Sequence, residues 1–386
     1  MVDKTPYKRS LGLIELVSLG VGGTIGSGIF VVPGVAARLS GAASLYIWLI
    51  VAISASCVLI SLAAVSTQFT GSGSFYSLFE SVFGKSVAVT LILLYLVSSI
   101  FGVSTIAAGI GQYITWLGIT HALTIEVGIL AAFCCINIVG ISLSGKTENI
   151  LTTLKIIPLI LISVLLIPFI RPENLVTSAS VSTTGLLATI IIVYWPFTGF
   201  EISAIPVEET KDPRMIKTSL LYVMAIVVAV YLLLNISLIG SVGAPALAAS
   251  PAPVATAAAL IVVHAGPVVA IIGIIAMLSA LNAYIIGTSR VMQNLSARFA
   301  VPRIRDLGMQ GTPVYALITS CGLCAALLFI SNQFDKLASI SVITTLIPYI
   351  FFCIAAWMTI RDTLVRIVSV AGAGSTLAIL AIYFIA

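Results

Sequence analysis

The chain has 386 residues, 60% hydrophobic and 8% charged, with a mean hydropathy of +1.21. Soluble domains carry roughly 25% charged residues, so a water-soluble globule is excluded. The net charge of +5 does not point to a nucleic-acid partner, and its distribution matters more than its size.

About 20 apolar residues cross a hydrocarbon core of about 30 Å, so this length holds about ten to twelve spans. Apolar runs predict eleven helices, at 12–36, 44–66, 86–117, 122–143, 149–170, 184–206, 217–240, 267–297, 313–331, 337–360 and 366–386. No cleavable leader is expected, because the first run is rich in glycine and lacks a cleavage site. In its middle stands Gly20-Val21-Gly22-Gly23-Thr24-Ile25-Gly26-Ser27-Gly28. Each glycine costs a helix about 0.8–1 kcal/mol relative to alanine. Packing through Gly22-x-x-x-Gly26 needs small residues on one face only, whereas these glycines point all round. An unwound break is expected, with bare amides opening the next half-helix to an anion and carbonyls ending the first half-helix toward a cation.

Span five carries Lys155, seven residues into an apolar run. A lysine at the bilayer centre costs about 2.5–3.5 kcal/mol on insertion scales. Its ammonium either snorkels to the nearer surface or is held against backbone carbonyls. Span six contains Trp195-Pro196-Phe197-Thr198-Gly199-Phe200-Glu201. Proline removes a backbone donor, and glycine three residues on disfavours helix again. Interruptions at corresponding places in span one and span six point to an inverted-repeat transporter with its site at the midplane.

The loop after span six, Glu208-Glu209-Thr210-Lys211-Asp212-Pro213-Arg214, concentrates polar and breaker residues. Residues 241–265 are rich in alanine and proline, and their apolar core at 254–263 is too short to span, which predicts a re-entrant or surface helix. All six cysteines (Cys57, Cys134, Cys135, Cys321, Cys324, Cys353) fall in apolar segments, so no disulfide framework is read. Cys321-x-x-Cys324 has metal spacing without partner ligands, and His121 and His264 stand outside the deep apolar runs. No metal site and no cofactor are expected.

Basic residues orient the set by the positive-inside rule. A cytoplasmic N-terminus places Lys4, Lys8, Arg9, Lys85, Lys146, Lys211, Arg214, Lys217, Arg290, Arg298, Arg303, Arg305, Arg361 and Arg366 inside, and only Arg38, Arg171 and Lys336 outside. Lys155 belongs to neither side. The expectation is an all-α polytopic membrane protein forming one transmembrane domain over 1–386, multi-pass in the plasma membrane, in contact with membrane lipids.

Several motifs then match a family in order and spacing. Thr24-Ile25-Gly26-Ser27-Gly28-Ile29-Phe30 resembles the first-span signature of the amino acid–polyamine–organocation superfamily, closest to its L-amino-acid transporter branch. Thr198-Gly199-Phe200-Glu201 with Glu208-Glu209 and Asp212-Pro213 resembles its sixth span and following loop. Gly287-Thr288-Ser289-Arg290, Gly311-Thr312-Pro313 and Gly71-Ser72-Gly73-Ser74-Phe75-Tyr76 are similar to further family segments.

The resemblance implies a LeuT-like five-plus-five inverted-repeat fold with discontinuous helices 1 and 6. The repeats would cover 11–171 and 184–360, with an additional helix at 366–386. It implies that amides of Gly26, Ser27 and Gly28 bind a substrate carboxylate. Carbonyls of Thr24, Ile25, Trp195, Pro196 and Thr198 would bind the α-amine. Trp195 would be an aromatic gate, and Phe200 a second aromatic beside the pocket. Lys155 would occupy the position of a sodium ion in sodium-coupled relatives, bridging Gly22 to Ser279. Three features depart from the family pattern: Ala64 where a glutamate is usual, Pro196 in the break, and eleven spans rather than twelve.

The function expected is alternating-access transport of L-amino acids, neutral ones first, sodium-independent, by exchange or with protons as the co-substrate. The alternative is a cationic amino acid or polyamine permease, with Glu201 the residue that would favour it. An embedded enzyme would need paired acids, a metal set or an activated nucleophile, and a channel would need a ring of charge or a filter motif. The sequence shows none of these.

Overall fold

The computed structural model describes residues 11–66, 74–139, 145–177, 181–201, 210–212, 214–308 and 312–385. Within them the chain is helical throughout: α1 (Leu13–Thr24), α2 (Ser27–Ser40), α3 (Ser44–Ser66), α4 (Ser74–Phe83), α5 (Lys85–Trp116), α6 (Ala122–Val139), α7 (Gly145–Leu166), α8 (Thr183–Tyr194), α9 (Arg214–Val242), α10 (Ala244–Ala248), α11 (Pro253–Ile261), α12 (Ala265–Arg298), α13 (Val314–Ile330), α14 (Phe334–Thr359) and α15 (Thr363–Ile385). The apolar runs of the sequence coincide with these helices. Span one comprises α1 and α2, and span six opens with α8.

Burial sorts the helices as apolarity on all sides requires. Residues 20–37, across α1 and α2, are buried without exception; a helix apolar all round belongs inside. Around this pair stand α5, α7, α8, α9 and α12. Outer helices turn large apolar side chains outward, among them Ile53, Val139, Leu161, Ile330, Leu364 and Phe384, which suits a hydrocarbon solvent.

With no hydrophobic drive between helices in lipid, seams rely on small and hydroxyl side chains. The last helix, α15, is fixed to α3 by Ser54–Ser375 at 2.8 Å and Ser61–Ser369 at 2.9 Å. At Gly372 of this seam a Cβ would lie 2.9 Å from Cys353 Sγ. Likewise α5 meets α14 through Ser98 Oγ donating to Ser341 O at 2.9 Å, and Ser341 Oγ donating to Ser98 O at 2.8 Å.

The expected short helix at 254–263 is α11, whose nine residues are too few to span. Its Val254, Ala255, Ala257 and Ala258 are buried, and it packs on α2 and α12. Cys321 and Cys324 are buried in α13. The basic cluster Lys4, Lys8 and Arg9, the motif residues Gly71–Gly73, Glu208, Glu209, Pro213 and Gly311, and the side chain of Lys146 lie outside the described residues.

Candidate binding site at two broken helices

Span one breaks at Ile25 and Gly26. The backbone of Ile25, at φ −79° and ψ 89°, is close to an inverse γ-turn, and Gly26 N–H turns back to Thr24 O at 3.0 Å. Two consequences follow from that one bond. First, Gly22 O loses its ordinary helical donor, which is the amide four residues on. Second, α2 begins at Ser27 behind an N-cap glycine that has no side chain to cap it. The amides at the start of α2 are then orphan donors at the positive pole of a buried helix.

Lys155 fills the first vacancy. It is 2% exposed, and its Nζ donates to Gly22 O at 2.9 Å. Lys155 therefore turns inward to the carbonyl and does not snorkel. One turn earlier on α7, Thr152 Oγ1 donates to Ser18 O at 2.9 Å, which ties α7 along α1. The Gly22 half of the expected bridge is made. The Ser279 half is not: Ser279 is buried on α12, and its Oγ has no hydrogen-bond partner among the described residues.

Span six breaks after Tyr194. Trp195–Phe197 form a 3-10 turn, Thr198 is extended, and Gly199 adopts φ +92°. Both Thr198 N–H, at 3.1 Å, and Thr198 Oγ1, at 2.8 Å, donate to Trp195 O. Only glycine fits at 199, because φ is left-handed and a Cβ would meet Tyr284 Oη at 2.8 Å and Gly23 O at 2.9 Å. The two breaks face each other: a Cβ on Gly28 would lie 2.6 Å from Pro196 Cα. On the other side, a Cβ on Gly26 would lie 2.9 Å from Ala280 Cβ.

Tyr231 of α9, absent from the sequence-based site, joins the breaks. It is fully buried, and its hydroxyl lies 3.0 Å from Thr24 O and 3.0 Å from Pro196 O. Its ring packs with Trp48 and Phe197, centroids 5.8 Å and 5.2 Å away. The signal in the sequence was faint: two tyrosines, Tyr222 and Tyr231, stand in this run, and only a buried hydroxyl needs a protein partner.

Several groups of the expected ligand set already hold internal bonds. Gly26 N–H is spent on Thr24 O, which leaves the amides of Ser27 and Gly28 as the anion donors of the three. Thr24 O already faces Gly26 N–H and Tyr231, and Trp195 O already accepts two bonds from Thr198. Pro196 O keeps one lone pair beyond Tyr231. The carbonyls of Ile25, at the γ-turn, and of Thr198, in extended backbone, are the remaining members of the expected cation end.

Trp195 crosses the site from α8. Its Nε1 donates to Ser27 Oγ at 3.3 Å, its ring centroid lies 6.1 Å from that of Tyr284, and Cη2 approaches Gly102 of α5. Phe200 lies instead against Tyr349 of α14, centroids 5.2 Å apart. There Glu201, 3% exposed, is enclosed: Tyr95 Oη donates to Oε1 at 3.1 Å, while Tyr349 Oη at 2.7 Å and Gly199 N–H at 3.1 Å donate to Oε2. The arrangement can hold an anion at the α2 amides and a cation at carbonyls across the break, with an aromatic cover and an occupied carboxylate below.

Comparison with known proteins bears on the family and the fold. The amino acid permease family model matches residues 11–386. The chain is 26% identical over 367 residues to the inner membrane transport protein YbaT of Escherichia coli, covering 90% of this chain and 83% of YbaT. It is 26% identical over 366 residues to the serine/threonine exchanger SteT of Bacillus subtilis, covering 90% and 82% of the two chains. It is 24% identical over 376 residues to the branched-chain amino acid permease BcaP of the same species, covering 90% and 80%. The crystal structure of MhsT in complex with L-phenylalanine superposes with a TM-score of 0.69 at 15% identity, over 98% of this chain and 99% of MhsT, which shows the LeuT fold. With the match running the length of the membrane domain, the chain belongs to the amino acid permease family, within the amino acid–polyamine–organocation superfamily.

Proposed function

We propose that this permease carries neutral L-amino acids by alternating access, independently of sodium, across the plasma membrane with its N-terminus in the cytoplasm. In this reading 11–171 and 184–360 are the inverted repeats. The observation that carries it is the facing pair of breaks. A zwitterion presents a carboxylate and an ammonium a few ångströms apart, and the site offers orphan amides of Ser27 and Gly28 opposite carbonyls of Ile25, Pro196 and Thr198. Dipole ends substitute for side-chain charge.

Two further features support the finer reading. Lys155 places an ammonium on Gly22 O, where a coupling cation would otherwise sit against α1. Glu201 has each oxygen engaged, so a cationic side chain would have to displace two tyrosines, which favours neutral substrates. SteT and BcaP are named for serine/threonine exchange and branched-chain amino acids, and this chain is placed in the same substrate class by proposal.

Uptake into proteoliposomes tests the coupling. Wild-type protein is expected to take up amino acid without sodium, and Lys155→Ala to lose that uptake with or without a pH gradient. Unchanged proton-driven uptake in the mutant would remove Lys155 from the coupling role. Counterflow that ignores pH would assign exchange.

A further inference from the structure

Glu126 is a buried acid that the binding site does not use. It lies in the second turn of α6 and is 1% exposed. Its Oε1 accepts one bond, from Asn332 Nδ2 at 3.3 Å, and its Oε2 is buried with no partner among the described residues. The carboxyl group rests in a hollow that exists only because residue 111 is glycine; a Cβ there would overlap Oε1. Titratable groups on the neighbouring elements are His121 before α6, Tyr113 on α5, Asp335 and Lys336 on α14, and Cys134 and Cys321 on the α6–α13 seam. Among the described residues none forms an ion pair or a hydrogen bond with Glu126. A carboxylate so placed is an uncompensated buried charge, whereas the neutral acid is not.

The position connects this group to α2. Asn332 is exposed and belongs to the corner between α13 and α14, so Glu126 is one residue from water. Three residues on, Asp335 pairs with Arg38 of α2 at 3.0 Å. On α5, Gly111 lies between Gly109, which faces Ser27, and Tyr113, whose hydroxyl donates to Phe30 O of α2 at 2.8 Å. The elements that seat Glu126 are the same elements that clamp α2.

We propose that Glu126 is a proton-binding site, filled from the face of the molecule on which α2 ends, and that its proton favours the arrangement in which α2 is clamped. Losing the proton charges a dry site and favours separation of the corner from α2, which admits water. The consequence for transport rests on the proposed function above, but proton binding itself does not.

Infrared difference spectra of the purified protein between about pH 5 and about pH 8 read the carbonyl stretch of protonated carboxylic acids. Wild type is expected to show a titrating band that Glu126→Gln lacks, and Gly111→Ala, which crowds the carboxyl group, to move the midpoint of that band. Counterflow of amino acid, with equal pH on both sides of the membrane, reads the consequence. The wild-type rate is expected to follow one proton, at most about tenfold per pH unit, and Glu126→Gln to stay at the wild-type low-pH rate throughout. A band unchanged in Glu126→Gln overturns the proposal. So does a mutant that melts lower yet keeps the wild-type pH profile, since that is the mark of a structural side chain. Absence of wild-type counterflow at every pH would count against the transport reading, and the infrared band would still decide on the proton.

Discussion

Lys155 shows why a single charge persists in an apolar helix. The γ-turn at Ile25 removes the donor from Gly22 O, and a buried carbonyl without a donor costs about 1–3 kcal/mol. Lys155 supplies that donor at 2.9 Å. Lys155→Met, close in length but without the ammonium, is expected to lower the unfolding free energy of the purified protein by about 1.5–3 kcal/mol, read as a fall in melting temperature. Tyr231 does similar work with a neutral group. Tyr231→Phe keeps the ring against Trp48 and Phe197 but removes the one O–H that Thr24 O and Pro196 O share, for an expected loss of about 1–3 kcal/mol and weaker substrate binding. Binding unchanged in Tyr231→Phe would mean that the two breaks hold their spacing without it. The lysine was legible in the sequence because charge in a hydrophobic run is conspicuous. The tyrosine was not, because its role depends on which helix passes between the breaks.

At the scale of elements, the breaks were the most legible feature. Glycine at five of nine positions and a Pro-x-x-Gly pattern state the local conformation without help from packing. Which backbone groups remain free was not legible, since this depends on how the linker folds back. Gly26 N–H bonding Thr24 O, and Thr198 bonding Trp195 O twice, are choices of turn geometry with no residue signature. Close approach of the two half-helices can be tested by bulk. Gly28→Ala places a methyl 2.6 Å from Pro196 Cα, against backbone that cannot yield. Overpacking of this kind costs about 1–3 kcal/mol, and substrate-induced thermal stabilisation is expected to vanish. Full stabilisation in Gly28→Ala would show that the breaks are not the binding surface.

For the whole molecule, the order of the long helices followed from hydropathy, though not the short α4 and α10. How the bundle is closed did not, because the closing contacts join residues far apart in sequence. On one face Arg38 meets Asp335 and Tyr113 meets Phe30 O. Below the breaks Tyr95, Glu201 and Tyr349 join α5, span six and α14. The Arg38–Asp335 pair is half exposed, so Arg38→Ala is expected to change stability by no more than about 1 kcal/mol. Its effect should appear instead as greater labelling of a cysteine placed at the neighbouring buried position Ala37. Labelling unchanged from the parent would exclude the pair as a closing contact.

The central claim is that two sets of backbone dipoles together read a zwitterion. Thermal shift on purified wild-type protein tests it most directly, comparing the best-bound neutral L-amino acid with its amide, which lacks the carboxylate, and its decarboxylated amine. Stabilisation by the amino acid alone is expected. Equal stabilisation by the amine would contradict the claim, since the Ser27 and Gly28 amides would then have no anion to bind.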